Sequence, residues 1–234
     1  MKRTDGANFT SFIAELAAKL HAQGKYLTVT VEPKTQDDAR PIDWRAIAQR
    51  ADRVRVMAYQ YHGPKTKPGL ISPLEDVAQL ADYALTQIPR IKLEIALAMY
   101  GFDWPRRGKA TLVGTREQFD ILANLANAEA RLDPVTKAGR ISYKMPKGRK
   151  GKKWVEHEVW VETTASLVNK IEMLLGKDIT QIGVWQLDAG DMTDLFILLS
   201  PEASILNPLP LKGSWINPRF PPMRRGQRRV GAAA

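Results

Sequence analysis

The sequence predicts an α/β fold built on parallel strands. Short apolar runs rich in β-branched residues alternate with longer segments whose apolar residues recur every three or four positions. The rhythm is a helix and then strand–helix four times, broken once by a block of about fifty residues. Strands that alternate with helices pair in parallel, because each helix returns the chain to the same end of the sheet. Each strand also ends in polar or aromatic residues, and in parallel α/β sheets and barrels that edge is where sites form.

Each element has its own local reason. Residues 8–22 form an amphipathic helix, with Phe9, Phe12, Ile13, Leu16, Ala17 and Leu20 on one face and Gly24 as its stop. Tyr26–Val31 is a strand. Asp43 caps a second helix that buries Trp44, Ile47, Ala48 and Ala51. In the strand Val54–Tyr59, Val54, Val56 and Ala58 share one side and Met57, Tyr59 and Tyr61 the other. Ser72-Pro73-Leu74-Glu75 reads as a capping box opening a helix to Gln87, which Pro89 stops. Lys92–Tyr100 is the next strand, running into Gly101-Phe102-Asp103-Trp104-Pro105.

The interrupting block follows. Thr115–Gln118 reads as a second capping box, with a helix to about Ala130. A hairpin then pairs Ile141–Lys144 with Val155–Val161 across a basic turn. Leu167, Ile171, Leu174 and Leu175 mark a helix terminated by Gly176, and Ile182–Leu187 is the fourth strand. Met192–Leu199 reads as a short helix, and the prolines and arginines beyond Ser200 read as an irregular tail.

Charge is unevenly placed. The chain of 234 residues carries 35 Lys and Arg against 25 Asp and Glu, a net +10. Six basic residues lie between Ile141 and Lys153 and five between Asn217 and Arg229, with no acid in either run; the other 24 balance the 25 acids. The excess thus belongs to one loop and one tail, as a solvated loop or a patch for a polyanion. There is no cysteine, which removes disulfides, thiolate metal sites and a cysteine nucleophile together. No apolar run approaches the ~20 residues of a membrane span, and no apolar stretch follows Met1-Lys2-Arg3 as a signal peptide would need. The expectation is a chain that is neither membrane-spanning nor exported, and cytoplasmic as written. The three histidines, His21, His62 and His157, have no metal-site spacing. His21 reads as a surface residue and His62 as a loop residue near a cleft rim.

Three strand ends together resemble a known family: Met57-Ala58-Tyr59, then Tyr100-Gly101-Phe102-Asp103-Trp104, then Val184-Trp185-Gln186-Leu187. They are similar to the sixth, seventh and eighth strands of the glycoside hydrolase family 18 barrel. The nearest subgroup is the bacterial spore-cortex-lysing N-acetylglucosaminidases, which Phe9–Lys34 and Val159-Trp160-Val161-Glu162 also resemble. The resemblance implies part of a TIM (β/α)8 barrel, strands five to eight, with a small α+β insertion between strands seven and eight. Residues 1–200 would be that half-barrel, including the insertion 105–162, and 201–234 the tail.

The resemblance also implies a chemistry. The family hydrolyses β-linked N-acetylglucosamine in chitin or peptidoglycan by substrate-assisted retention, needing neither metal nor cofactor. The sugar's acetamido oxygen attacks its own anomeric carbon while one Glu protonates the leaving oxygen, which departs from the usual carboxylate pair. Tyr59 would donate a hydrogen bond to the acetamido group. Trp185 would floor the sugar, Met57 would line the pocket, and Tyr100 and Trp104 would wall it. Gln60 stands where the family has Asp or Asn. The acid Glu belongs to strand four, which should end just before Asp5, so the expectation is a chain inactive alone. Glu32, Asp103, Asp188 and Asp191 are the strand-end carboxylates that stand as candidate substitutes. A partner half-barrel or homo-oligomer would close the fold. Two other readings stand beside this one: a non-catalytic chitin- or peptidoglycan-binding protein, and a basic nucleic-acid-binding protein, which no nucleic-acid motif supports.

Overall fold

The computed structural model describes residues 3–36, 42–114, 121, 124–125, 127–147 and 153–186. A parallel sheet joins β1 (Thr28–Val31), β2 (Arg53–Met57), β3 (Leu93–Ala98) and β9 (Ile182–Trp185), in that order. Helices α1 (Arg3–His21), α2 (Trp44–Arg50), α3 (Leu74–Gln87) and α4 (Thr164–Leu175) cover one of its faces. Between β3 and β9 lies an antiparallel sheet with order β5-β4-β8-β7-β6. Its strands are β4 (Gly101–Pro105), β5 (Thr111–Val113), β6 (Glu129–Leu132), β7 (Gly139–Lys147) and β8 (Lys153–Val161). Among the described residues no helix is long and apolar enough to cross a membrane.

Alternation decides what each face does. Val29, Val31, Val54, Val56, Leu93, Ile95 and Leu97 point toward the helices and meet Ile13, Ala17, Ile47, Leu80 and Leu174 in one core. The opposite side chains face away from every helix and are left for the site.

Local signals explain the element ends. Asp43 accepts a hydrogen bond from the Ala46 amide at 3.0 Å and caps α2 as its sequence predicts. At the other end of α2, the Lys92 ammonium donates to the Ala48 and Ala51 carbonyls, each at 2.8 Å. Gly24, just past α1, has φ +66°, a conformation that glycine adopts without a Cβ penalty. The Asp52 carboxylate then ties β1 to α1, accepting from the Leu27 amide at 2.7 Å and pairing with His21 at 2.8 Å.

Four expectations are corrected. Ser72 does not cap α3: the N-cap is Pro73, without a side-chain bond, and the Ser72 hydroxyl donates to the Ala58 carbonyl at 2.5 Å. Phe12 points outward at 55% exposure, so the α1 stripe is narrower than its periodicity suggests. Glu129 and Ala130 lie in β6, paired with Ser142 and Ile141, so no helix runs to Ala130. Strand β3 stops at Ala98, and Lys92 ends a short 3-10 turn, because Pro89 starts that turn and Gly101 starts a new strand. The readings of Thr115–Gln118, Met192–Leu199 and the 201–234 tail lie outside the described residues.

The two sheets meet where β4 leaves and β8 returns. The Glu162 amide donates to the Tyr100 carbonyl at 3.3 Å, and a Cβ on Gly101 would stand 2.6 Å from the Cα of Val161. Only glycine allows that approach. Immediately after β8, Glu162 and Lys170 form an ion pair of 2.6 Å with each side chain 1% exposed, and the Ser166 hydroxyl also donates to Glu162. Thr163 and Ser166 complete a capping box that starts α4 here. Removing one member of such a pair leaves a buried charge uncompensated. Lys170→Met is therefore expected to cost about 3–5 kcal/mol in urea unfolding, and Glu162→Gln added to it to restore part of that loss.

Candidate functional site

The face without helices builds a cavity of about 440 Å³ from three cross-strand rows. The lowest row holds Thr30 and Arg55, with Glu94 in register beside Arg55. The middle row is Met57, Ala96 and Gly183. Trp185 stands in register with Ala98 in the top row, and Tyr59 follows Met57 on the same side of its chain. The hollow has a simple cause: two of the three middle-row residues are nearly without side chains.

Charge closes the bottom of the cavity. Arg55 Nε lies 2.5 Å from one oxygen of Glu94, and Arg53 lies 3.5 Å from the other. Glu94 is only 4% exposed, so this carboxylate is committed to its arginines. The top is aromatic. Tyr59 is 6% exposed and Trp185 is 52% exposed, one fixed side and one open side of the same opening. Met57, Tyr59, Gln60 and Trp185, all selected from the sequence, line this single cavity. The Trp185–Gln186 peptide is cis.

Tyr100 and Trp104 stand behind the lining. Edge-to-face contacts run from Tyr59 to Tyr100 (6.1 Å), to Phe102 (5.6 Å) and to Trp104 (5.6 Å), and both residues are almost fully buried. The Trp104 indole donates to the Gly63 carbonyl at 3.3 Å. Neither residue is among those lining the cavity, and Tyr100 packs directly against Tyr59. His62 bonds the Lys67 carbonyl through Nδ1 at 3.0 Å and is a loop residue.

No carboxylate lines the cavity among the described residues. Glu32 is exposed, and Asp188 and Asp191 lie outside the described residues. Asp103 is buried in the antiparallel sheet, where Tyr143 donates to it and His157 Nδ1 lies 2.9 Å away. That supplies the partner His157 lacks in the linear sequence. Strand alternation could have found Arg55, two residues before Met57; the Asp103–His157 pair, 54 residues apart, leaves no local signal. Among the described residues, no cluster of three or more His, Asp or Glu could hold a metal.

Two predictions follow from backbone and burial. Gln60 has φ +67°, a left-handed conformation that costs most L-residues about 1–2 kcal/mol and that asparagine tolerates better. Gln60→Asn is expected to raise stability by up to about 1 kcal/mol, read as a higher denaturant midpoint at unchanged slope. Burial raises the Tyr59 and Tyr61 hydroxyls above their ordinary value of 10.0 and pushes Tyr100 up to about 12, with Gln60 opposing at Tyr100. Tyr143 is raised by burial and by Asp103. A raised folded pKa adds stability that is complete below the unfolded value and lost as pH rises through the folded one. The denaturant midpoint should therefore hold up to about pH 10 and fall above it. Ultraviolet difference spectra should show buried tyrosines ionising only beyond that point.

Comparison with known proteins gives the family. The family model for glycosyl hydrolases family 18 matches residues 1–190. The cortical fragment-lytic enzyme of Bacillus subtilis is 24% identical over 215 residues, covering 88% of this chain and 48% of that protein. Its counterpart in Bacillus anthracis is 27% identical over 192 residues, covering 78% and 43%. The chain thus spans about half the length of these relatives. Among solved structures, a Chromobacterium violaceum chitinase superposes with a TM-score of 0.72 at 26% identity, covering 81% of this chain and 59% of that one. The Bacillus cereus spore cortex-lytic enzyme SleL superposes with a TM-score of 0.69 at 25% identity, covering 81% and 44%. With a family model that matches residues 1–190 of its 234, this chain belongs to the glycosyl hydrolases family 18.

Proposed function

We propose that the chain forms the sugar cradle of a family 18 site for β-linked N-acetylglucosamine polymers such as chitin or peptidoglycan. The observation that carries this is one cavity holding a half-open Trp185 opposite a neutral, nearly buried Tyr59. The apolar face of a sugar ring packs on an indole, and a phenol kept neutral donates a hydrogen bond to an acetamido oxygen. Met57 fills the space beneath, and Gln60 takes the place of the family's Asp or Asn.

Strands β1, β2, β3 and β9 are read here as strands five to eight of a (β/α)8 barrel. Apart from β4, which leads into it, the antiparallel sheet falls in the insertion 105–162 of a half-barrel spanning 1–200, with 201–234 as a tail. Among the described residues β1 and β9 each pair on one side only. Such edges favour further strands, from a complementary half-barrel or a second copy.

Hydrolysis by substrate-assisted retention needs an acid for the leaving oxygen. The cavity lining offers none and Glu94 is held by Arg53 and Arg55, so the described residues bind without turnover. The same absence favours the second reading, a carbohydrate-binding protein without hydrolysis. A titration with chitohexaose followed by tryptophan fluorescence, beside a chromogenic glycoside assay, tests both. The chain alone is expected to bind without turnover. Trp185→Ala should lose at least about tenfold in affinity, and Tyr59→Phe about three- to tenfold, the worth of one hydrogen bond. An unchanged affinity in Trp185→Ala would sink the cradle, and turnover by the chain alone would sink the claim that it lacks an acid.

A further inference from the structure

The antiparallel sheet carries a second cleft, of about 620 Å³, lined by Arg106, Arg107, Lys144, Lys153, Trp154 and Glu156 among others. It shares no lining residue with the sugar cavity. Residues opposite one another in an antiparallel pair point to the same side, as do residues two apart along a strand. Phe102 faces Trp160, and Trp104 faces Glu158. Two residues further along β8, Glu156 faces Lys144 and its carboxylate meets Arg106 at 3.0 Å. Trp154 comes next. One sheet face therefore runs from the aromatic rings behind Tyr59 to this cleft. Trp154 lies four residues along β8 from Glu158, about 13 Å at a strand's rise per residue.

The cleft has more positive charge than it neutralises. Glu156 is its one carboxylate, shared by Arg106 and by Lys144 at 3.5 Å. Arg107 and Lys153 have no ion pair among the described residues. Beside these cations Trp154 is 60% exposed, a large apolar ring open to solvent. Uncompensated cations attract any polyanion, and an exposed indole adds a surface for a sugar ring. A neutral polymer has no use for the first of these, and a polyanion without sugars has no use for the second.

We propose that this cleft is a subsite for the acidic groups of a carboxylate-bearing N-acetylhexosamine glycan, one sugar stacking on Trp154 while Arg107 and Lys153 hold carboxylates. The proposal rests on the cradle reading and extends it: the glycan whose sugar is held under Trp185 has its charge read at this second cleft. The protein then prefers an acidic wall glycan to neutral chitin.

The test uses the whole chain and three probes: chitohexaose, uncrosslinked peptidoglycan strands bearing lactyl carboxylates, and poly-glutamate. At low salt the acidic strands should bind about tenfold tighter than chitohexaose, with the advantage shrinking as salt rises. Arg107→Ala/Lys153→Ala should remove that advantage, and Trp154→Ala should weaken binding of the strands. All three positions are exposed, and both variants should keep the affinity for chitohexaose. Equal affinity for the two glycans, no effect of the double substitution, or poly-glutamate binding as well as the strands would each overturn the subsite. Loss of chitohexaose binding alone, with charge-dependent strand binding intact, would instead overturn the cradle and leave the subsite standing.

Discussion

The arrangement depends on one close crossing of backbones. Gly101 leaves the parallel sheet against Trp160 and Val161, and no larger residue fits between them. The crossing fixes Tyr100 behind Tyr59 and sets Glu162 at the start of α4. The Glu162–Lys170 pair then secures that start in the interior, where a misplaced charge is costly. Helix α4 delivers β9 and with it Trp185. Both sides of the sugar cavity therefore descend from the same junction, one through a ring contact and the other through a helix.

Inside the cavity, size and charge divide the work by height. At the bottom the half-exposed Arg55 lines the cavity and neutralises the buried Glu94 carboxylate beside it. Alanine and glycine in the middle leave room, and aromatics at the top offer faces and a hydroxyl. Burial raises the Tyr59 hydroxyl further above its ordinary value of 10.0, at which a phenol is already neutral. A phenol more open to water at that place would hydrogen-bond solvent as readily as a ligand.

Much of this was legible in the chain itself where the cause is local. Asp43 before Trp44 marks a cap because a carboxylate two or three residues from free amides has little else to bind. The alternation from Val54 to Tyr59 assigns the two faces of β2 correctly because strand geometry has a fixed period. The strand-end motifs around Tyr59, Tyr100 and Trp185 pointed to the family that the comparisons show. What stayed hidden depends on distant partners. Ser72 looked like a cap, yet the Ala58 carbonyl, fourteen residues earlier, claims its hydroxyl. Whether the rings of Tyr100 and Trp104 line a cavity or back it depends on neighbours that strand periodicity does not supply. Strands β5 and β6 are short and weakly apolar, and gain their identity only from β4 and β7.

Among the described residues the apolar clusters are separate, and none includes Arg106, Arg107, Lys153 or Trp154. Substitutions along that outer row leave the packed interior untouched. Its electrostatic character is accordingly free to drift through evolution with little thermodynamic penalty. Lineages sharing this scaffold could diverge in the polymers they favour by exchanging a few surface charges, while the machinery beneath Trp185 remains the same.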